Sequence, residues 1–448
     1  MRTAPEPRDA GDPPQAGWAE RAGALLLLAL WGASVVLRGW NGWGDDLSAL
    51  YFAARFAAEG DWAAVYAGPP HVIGYGVTPR WAAEAAALGH PGANLNRYVY
   101  PPLWAALFAP VAQAAGPVAF FNAALVAFAA SLVAAARAVL RLVPPRRLRP
   151  LVGAALAVLV MEWTFPFAYA LDLRQPQILL VALVLLSAER ALAGRQAFAG
   201  VLLALAAAIK LSPALLVLAF LACGMRRAAG AFAAAGTALF AASLALAGLN
   251  AHAAFMGAVR DLDGVVLLSV ANPALETVLV LLREAAQGTD IFALGANTVV
   301  EAPRFLAWAV PAVAVAACAA SLALARRASE PARLVLGMVL LYQVAAFAGG
   351  FAWLHYLMLP FLALLWLPAI WPAPRCLAAA ALVVLPLSTP VFTRLIDLQT
   401  SNTGTIALGA AAFVALWAVF AAACVDAWRV ARPETAGPGI PAATAADG

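Results

Sequence analysis

Two adjacent acids, Asp45 and Asp46, stand at the head of DLSALYFAARFAAEG, with apolar residues at Leu50, Tyr51, Ala54 and Ala58 recurring at helical spacing behind them. An acid in that position can deprotonate a hydroxyl nucleophile. It can equally be an ordinary N-cap of the helix that follows.

Lys210 is the only lysine in the chain, inside the apolar run AAAIKLSPALL, where an ammonium is costly unless it is paired or reaches water. A compact point charge suits a phosphate; the alternative is a side chain snorkelling to the membrane boundary. Arg174 and Gln175 precede the apolar run PQILLVALVLL, and an arginine fork matches phosphate, although an arginine at a helix end can also simply anchor it. His355, in FAWLHYLMLPFL after the Gly349-Gly350 break, can carry a proton or donate to phosphate, or can be a core histidine bonded to a carbonyl.

His252, Arg260, Asp261, Asp263 and Asn272 crowd a later polar stretch. Asp261-Leu262-Asp263 has the form of a cation-binding DxD, but no nucleotide-binding α/β pattern surrounds it, so a solvated loop is the expectation and no metal is assigned.

The elements that position these residues are written in the composition. Of 448 residues, 64% are hydrophobic and 11% charged, far from a soluble domain. Apolar stretches near 22–38, 117–141, 151–166, 176–193, 197–210, 212–225, 228–248, 305–325, 332–349, 352–370, 376–390 and 404–428 predict an all-α polytopic membrane protein with about 12 transmembrane helices. Arg21, Arg146, Arg147, Arg149, Arg190, Arg195, Arg226, Arg227, Arg326, Arg327, Arg333, Arg375, Arg429 and Arg432 all fall on one side if the amino terminus is cytoplasmic. That topology requires 197–225 to be a hairpin and 101–115 to lie in the interface.

The expected organisation is a flexible cytoplasmic tail over 1–21, one transmembrane unit over 22–430 and a disordered tail over 431–448. Two long outer loops, 39–116 with interfacial helices and 249–304, face away from the cytoplasm. The net charge of +5 belongs to loop arginines, which argues against nucleic acid. Cys223, Cys318, Cys376 and Cys424 are scattered singly and read as packing thiols. The alanine- and arginine-rich composition points to a bacterial plasma membrane.

Under this topology Asp46, Arg174, Lys210, His252 and His355 all reach the outer face. A base, cations for phosphate and lateral access from lipid suit transfer from a lipid-phosphate donor. A transporter or flippase of a lipid-linked sugar would also use intramembrane cations, but tends to show related halves, and no motif here recurs. A ligase moving a whole glycan is a third reading.

Four segments in order, DLSALYFAARFAAEGDWAAVY, YVYPPLWAALFAPVA, RQPQILLVALVLLSAERALAGRQAFAGVLLALAAAIKLSPALL and LHYLMLPFLALL, resemble glycosyltransferase family 87, membrane mannosyl- and arabinofuranosyltransferases of the GT-C fold. The resemblance implies a polyprenyl-phosphate sugar donor, a glycolipid or glycan acceptor, and inversion at the anomeric carbon, with no cofactor. It implies Asp46 as general base, and Arg174, Lys210 and His355 near the donor phosphate and reaction centre. Tyr100, Pro101 and Pro102 match the turn that lays the next helix on the membrane surface. The chain departs from the family pattern in carrying a second acid, Asp45, and in having Arg174 where glycine or a small residue stands beside the glutamine.

Overall fold

The computed structural model describes residues 17–68, 76–144, 147–293, 298–398 and 402–431. Most of the predicted tails, together with Arg146 and Arg432, lies outside these residues.

All twelve apolar stretches coincide with helix. They are α1 (Trp18–Gly39), α6 (Pro117–Arg141), α7 (Pro150–Trp163), α9 (Gln177–Leu192), α10 (Gln196–Ile209), the pair Ser212–Leu216 and α11 (Val217–Ala222), α12 (Arg226–Asp263), α14 (Leu306–Arg327), α15 (Ala332–Phe347), the run Leu354–Leu357 through α16 (Met358–Ala363) to Ala369, α17 (Ala373–Val384), and α19 (Thr403–Ala431). Among the described residues five of these, α1, α6, α12, α14 and α19, are long and apolar enough to cross a membrane. Most of the remainder are apolar helices of 10–17 residues.

The segment expected as the first outer loop holds α2 (Asp45–Ala58), α3 (Trp62–Tyr66), α4 (Pro79–Ala87) and α5 (Pro102–Ala114). Prolines at or beside the first helical position start α4, α5 and α6, where a missing N–H costs nothing. Buried Tyr51, Phe52 and Phe56 of α2 pack with Trp81, Phe120 and Phe121, so α2 is fixed in the aromatic core rather than resting on a surface. Tyr51 also donates to the Ala115 carbonyl at 2.8 Å, tying α2 to the end of α5.

The segment over 249–304 differs from the loop expected there. The helix α12 continues past the predicted span end to Asp263, turning at Gly248, whose φ of 78° is open to glycine. A two-stranded antiparallel sheet follows, β1 (Val265–Leu268) against β2 (Thr298–Glu301), with α13 (Leu275–Ala286) between them. Its buried Val266, Leu268, Val280 and Leu281 form a small core of their own with Leu306 and Ile406. Between α7 and α9 lies α8 (Phe165–Asp172), and α18 (Thr389–Leu398) precedes α19.

Candidate active site

The predicted acids open α2, but neither is its cap: Gly44 holds the N-cap position and the helix start has no side-chain cap bond. Asp46 instead turns its carboxylate to two side-chain amides. Asn96 Nδ2 donates to Oδ1 and Gln175 Nε2 donates to Oδ2, so each oxygen has one partner and keeps a lone pair for a substrate proton. The Tyr100 hydroxyl donates to Gln175 Oε1 at 3.0 Å, which sets the amide so that its nitrogen faces the acid. Asn96 is fixed in turn through its backbone N–H, which meets the Ser48 hydroxyl of α2 at 3.3 Å.

Burial pushes the Asp46 carboxyl up to about 6, against the Lys210 charge and the two amides, which lower it, while Asp45 raises it further. A base at that value is about nine-tenths ionised at pH 7 and still retains appreciable proton affinity. Burial and the neighbouring Asp46 charge push the Tyr100 phenol well up, so it remains a donor.

Lys210 follows the last residue of α10 in extended backbone, where the helix C-terminus favours a cation. Its Nζ donates to the Tyr356 hydroxyl at 2.9 Å and lies 4.5 Å from the Tyr356 ring centroid and 5.8 Å from that of Tyr100. Trp104 Nε1, on α5, donates to the Ala208 carbonyl at 2.7 Å and fixes the approach to the lysine. His355 sits in the tight turn Leu354–Leu357, so its ring diverges from that of Tyr356. It is 1% exposed, and neither ring nitrogen has a hydrogen-bond partner in the structure. Rings of Trp353, Tyr169 and Tyr356 surround it at 5.0–6.5 Å between centroids.

Arg174 has a different setting from the other predicted phosphate ligands. Its backbone is left-handed, with φ 54°, and closes the end of α8: the Gln175 N–H bonds the Ala170 carbonyl at 2.8 Å and the Arg174 N–H bonds Leu171 at 3.2 Å. Its guanidinium donates to the Leu171 and Gly39 carbonyls, capping α8 and α1 together. A Cβ at Gly39, Gly42 or Gly44 would come within 2.5–2.9 Å of this side chain, so the α1–α2 connection wraps the arginine closely. The left-handed turn delivers Gln175 to Asp46.

His252 is also apart from the carboxylate. Its ring nitrogens meet the Gly248 carbonyl at 2.8 Å and the Ser243 hydroxyl at 3.0 Å, bracing the turn of α12. Asp261 and Asp263 are on the last helical turn of α12 instead of in a solvated loop, and Asp261 pairs with Arg97 at 2.8 Å. Asp45 stands in the first turn of α2, beside the base, and accepts the Ser48 hydroxyl through its carbonyl at 2.6 Å.

Asn96 and Tyr356 were not singled out by the sequence. Their signal was adjacency: Asn96 lies two residues before Tyr98 at the edge of YVYPP, and Tyr356 follows His355 in LHYLML.

Neither the curated proteins nor the solved structures contain a match to this chain. The profile described as glycosyltransferase family 87 matches residues 98–347, which include Tyr100, Gln175 and Lys210 but neither Asp46 nor His355. With more than half its length matched, the chain belongs to glycosyltransferase family 87, and is a multi-pass membrane glycosyltransferase by family and by its apolar helices.

Proposed function

We propose that this protein transfers a sugar, mannose first among candidates, from a polyprenyl-phosphate donor to a hydroxyl of a glycolipid or glycan on the non-cytoplasmic face of a bacterial plasma membrane, in a GT-C architecture of about twelve crossings. The observation that carries the reading is the Asp46 carboxylate, held at both oxygens by Asn96 and Gln175 within the field of Lys210.

In the proposed step Asp46 accepts the acceptor hydroxyl proton as the oxygen attacks the anomeric carbon. The carbon–oxygen bond to phosphate breaks, the polyprenyl phosphate leaves with the electron pair, and the configuration inverts. Lys210 stabilises the charge gathering on the departing phosphate, and the Tyr356 hydroxyl keeps the ammonium in place. The unpartnered His355 nitrogens supply a further hydrogen bond to donor sugar or phosphate. Arg174 is a positioning residue in this reading, acting through the turn that carries Gln175.

The test is transfer of label from radiolabelled polyprenyl-phosphate mannose to an acceptor-lipid extract by the purified protein in nanodiscs. Asp46→Asn is expected to lower turnover by at least about 10³-fold, as loss of a positioned base does, with donor still bound. Near-native turnover in the variant removes Asp46 as base. Lipid crossing the bilayer with no label moved supports the transporter instead.

A further inference from the structure

The segment over 249–304 joins the two halves of the candidate site. At one end, Arg97 reaches from the strand of chain just before Tyr98 to Asp261 on the last turn of α12, with Nη1 to Oδ2 at 2.8 Å. The Arg97 side chain is 5% exposed, and a Cβ on Gly68 would come within 2.6 Å of it, so it occupies a fitted slot. Its neighbour Asn96 is the residue that donates to Asp46.

At the other end stands Asn272, fully buried between β1 and α13. Its Nδ2 donates to the Leu267 carbonyl at 2.9 Å and to the Thr277 hydroxyl at 3.3 Å, while its Oδ1 accepts from the Ala352 N–H at 2.9 Å. One residue away, the Leu354 N–H bonds the Ala271 carbonyl at 3.0 Å. These bonds fix the segment that leads into His355. Pro273 packs against Gly409 of α19, where a Cβ would meet its ring at 2.8 Å, so this anchor cannot slide.

We infer that the second half of α12 with β1 and α13 is a bridge setting the Asp46 side of the site against the His355 side, with Arg97, Asp261 and Asn272 as its positioning residues. None of the three touches the Asp46 carboxylate itself. Arg97 acts through Asn96, and Asn272 acts through the 352–355 backbone. The brace of His252 on Gly248 fixes the angle at which the second half of α12 presents Asp261. Phe255, on that same half, packs against Tyr66 with centroids 5.8 Å apart, and Tyr66 donates to the Tyr100 carbonyl at 2.9 Å. The bridge thus holds the Asn96–Tyr100 stretch at two points.

This inference rests on the transferase reading for its kinetic test but not for its physical one. The physical test is hydrogen exchange by mass spectrometry on the full chain in nanodiscs, without substrate. Asp261→Asn is expected to raise exchange over 94–99 and Asn272→Ala over 351–355, by about tenfold or more for loss of a charged or buried hydrogen bond of some 1.4 kcal/mol. Unchanged exchange at both segments overturns the bridge whether or not the protein transfers sugar.

The kinetic test compares these variants with the double variant. A bridge works only when attached at both ends, so each single variant lowers kcat, Asp261→Asn with the donor KM held and Asn272→Ala with it raised through His355, and the double variant is no worse in kcat than the poorer single. The acid limb of the pH profile moves upward in Asp261→Asn as Asn96 loosens from the base, beside the unaltered Asp45, Lys210 and Tyr100. Additive losses with an unmoved acid limb overturn the assignment and leave two independent stabilising contacts. Asp261→Glu is the conservative control and restores the limb. If the native protein transfers no sugar, the transferase reading fails and exchange alone decides the bridge.

Discussion

Lys210 and Arg174 carry the same charge, yet their surroundings give them opposite work. Lys210 has one hydroxyl partner and two aromatic faces, leaving ammonium protons for a ligand. Arg174 spends its guanidinium on the ends of two helices. Lys210→Ala is therefore expected to raise the donor KM by about tenfold or more, the scale of one charged hydrogen bond, whereas Arg174→Gly leaves it within about twofold. The first change also removes the charge that lowers Asp46. The limb of kcat/KM on the acid side, where activity falls as the base protonates near pH 6, then moves to higher pH. Steady-state kinetics between pH 5 and pH 8 check both statements. The acid, lysine and histidine were legible in sequence because a charge in an apolar run is conspicuous. Asn96 and Tyr356 were not, since their meaning lies in partners 50 and 146 residues away.

Among elements, the apolar helices were the most legible, because burial in lipid demands an uninterrupted apolar run. Among the described residues, however, only five are long enough to cross, and Pro102–Ala114 is as apolar as several of the shorter ones. The turn after α8 was illegible for the opposite reason: its left-handed residue is an arginine, and the three glycines that leave room for its side chain lie far away in sequence. The unit over 249–304 was also misjudged, as its polar residues gave no hint of a helix continuing to Asp263 or of paired strands. In that unit Glu276 lies in the first turn of α13, where the helix end favours its charge, but burial and then Asp263 prevail and push it up to about 7. Its ordinary value is 4.5. Stability contributed by the protonated acid is thus fullest below 4.5 and is lost as pH rises to about 7. Glu276→Gln is expected to raise stability above pH 7 by about 1–2 kcal/mol, allowing for partial solvent screening. Thermal unfolding at pH 5 and pH 8 checks it: the native protein loses stability between the two and the variant loses less.

At the scale of the molecule, the site assembles from the starts of α2 and α5, the turn before α9, the end of α10 and the turn at Leu354–Leu357. Such an arrangement is rigid only if the elements keep their mutual height, and α12 is the element that most exceeds the membrane. Its 38 residues make about 57 Å of helix at 1.5 Å per residue, nearly twice a bilayer core of roughly 30 Å. A straight rod of that length would transmit every change of tilt to its outer end and carry Asp261 with it. The turn at Gly248 breaks the rod into two arms, and the His252 contacts with the Gly248 carbonyl and the Ser243 hydroxyl fix the angle between them. No neighbouring atom lies within 4 Å of a Cβ built there, so Gly248→Ala meets only the cost of a backbone region almost confined to glycine, about 1–3 kcal/mol. Turnover in nanodiscs is expected to fall severalfold in the variant, because the second arm no longer presents Asp261 to Arg97 at the native angle. Gly248 is then a braced elbow, through which one continuous stretch of chain serves both as a membrane helix and as an arm of the site.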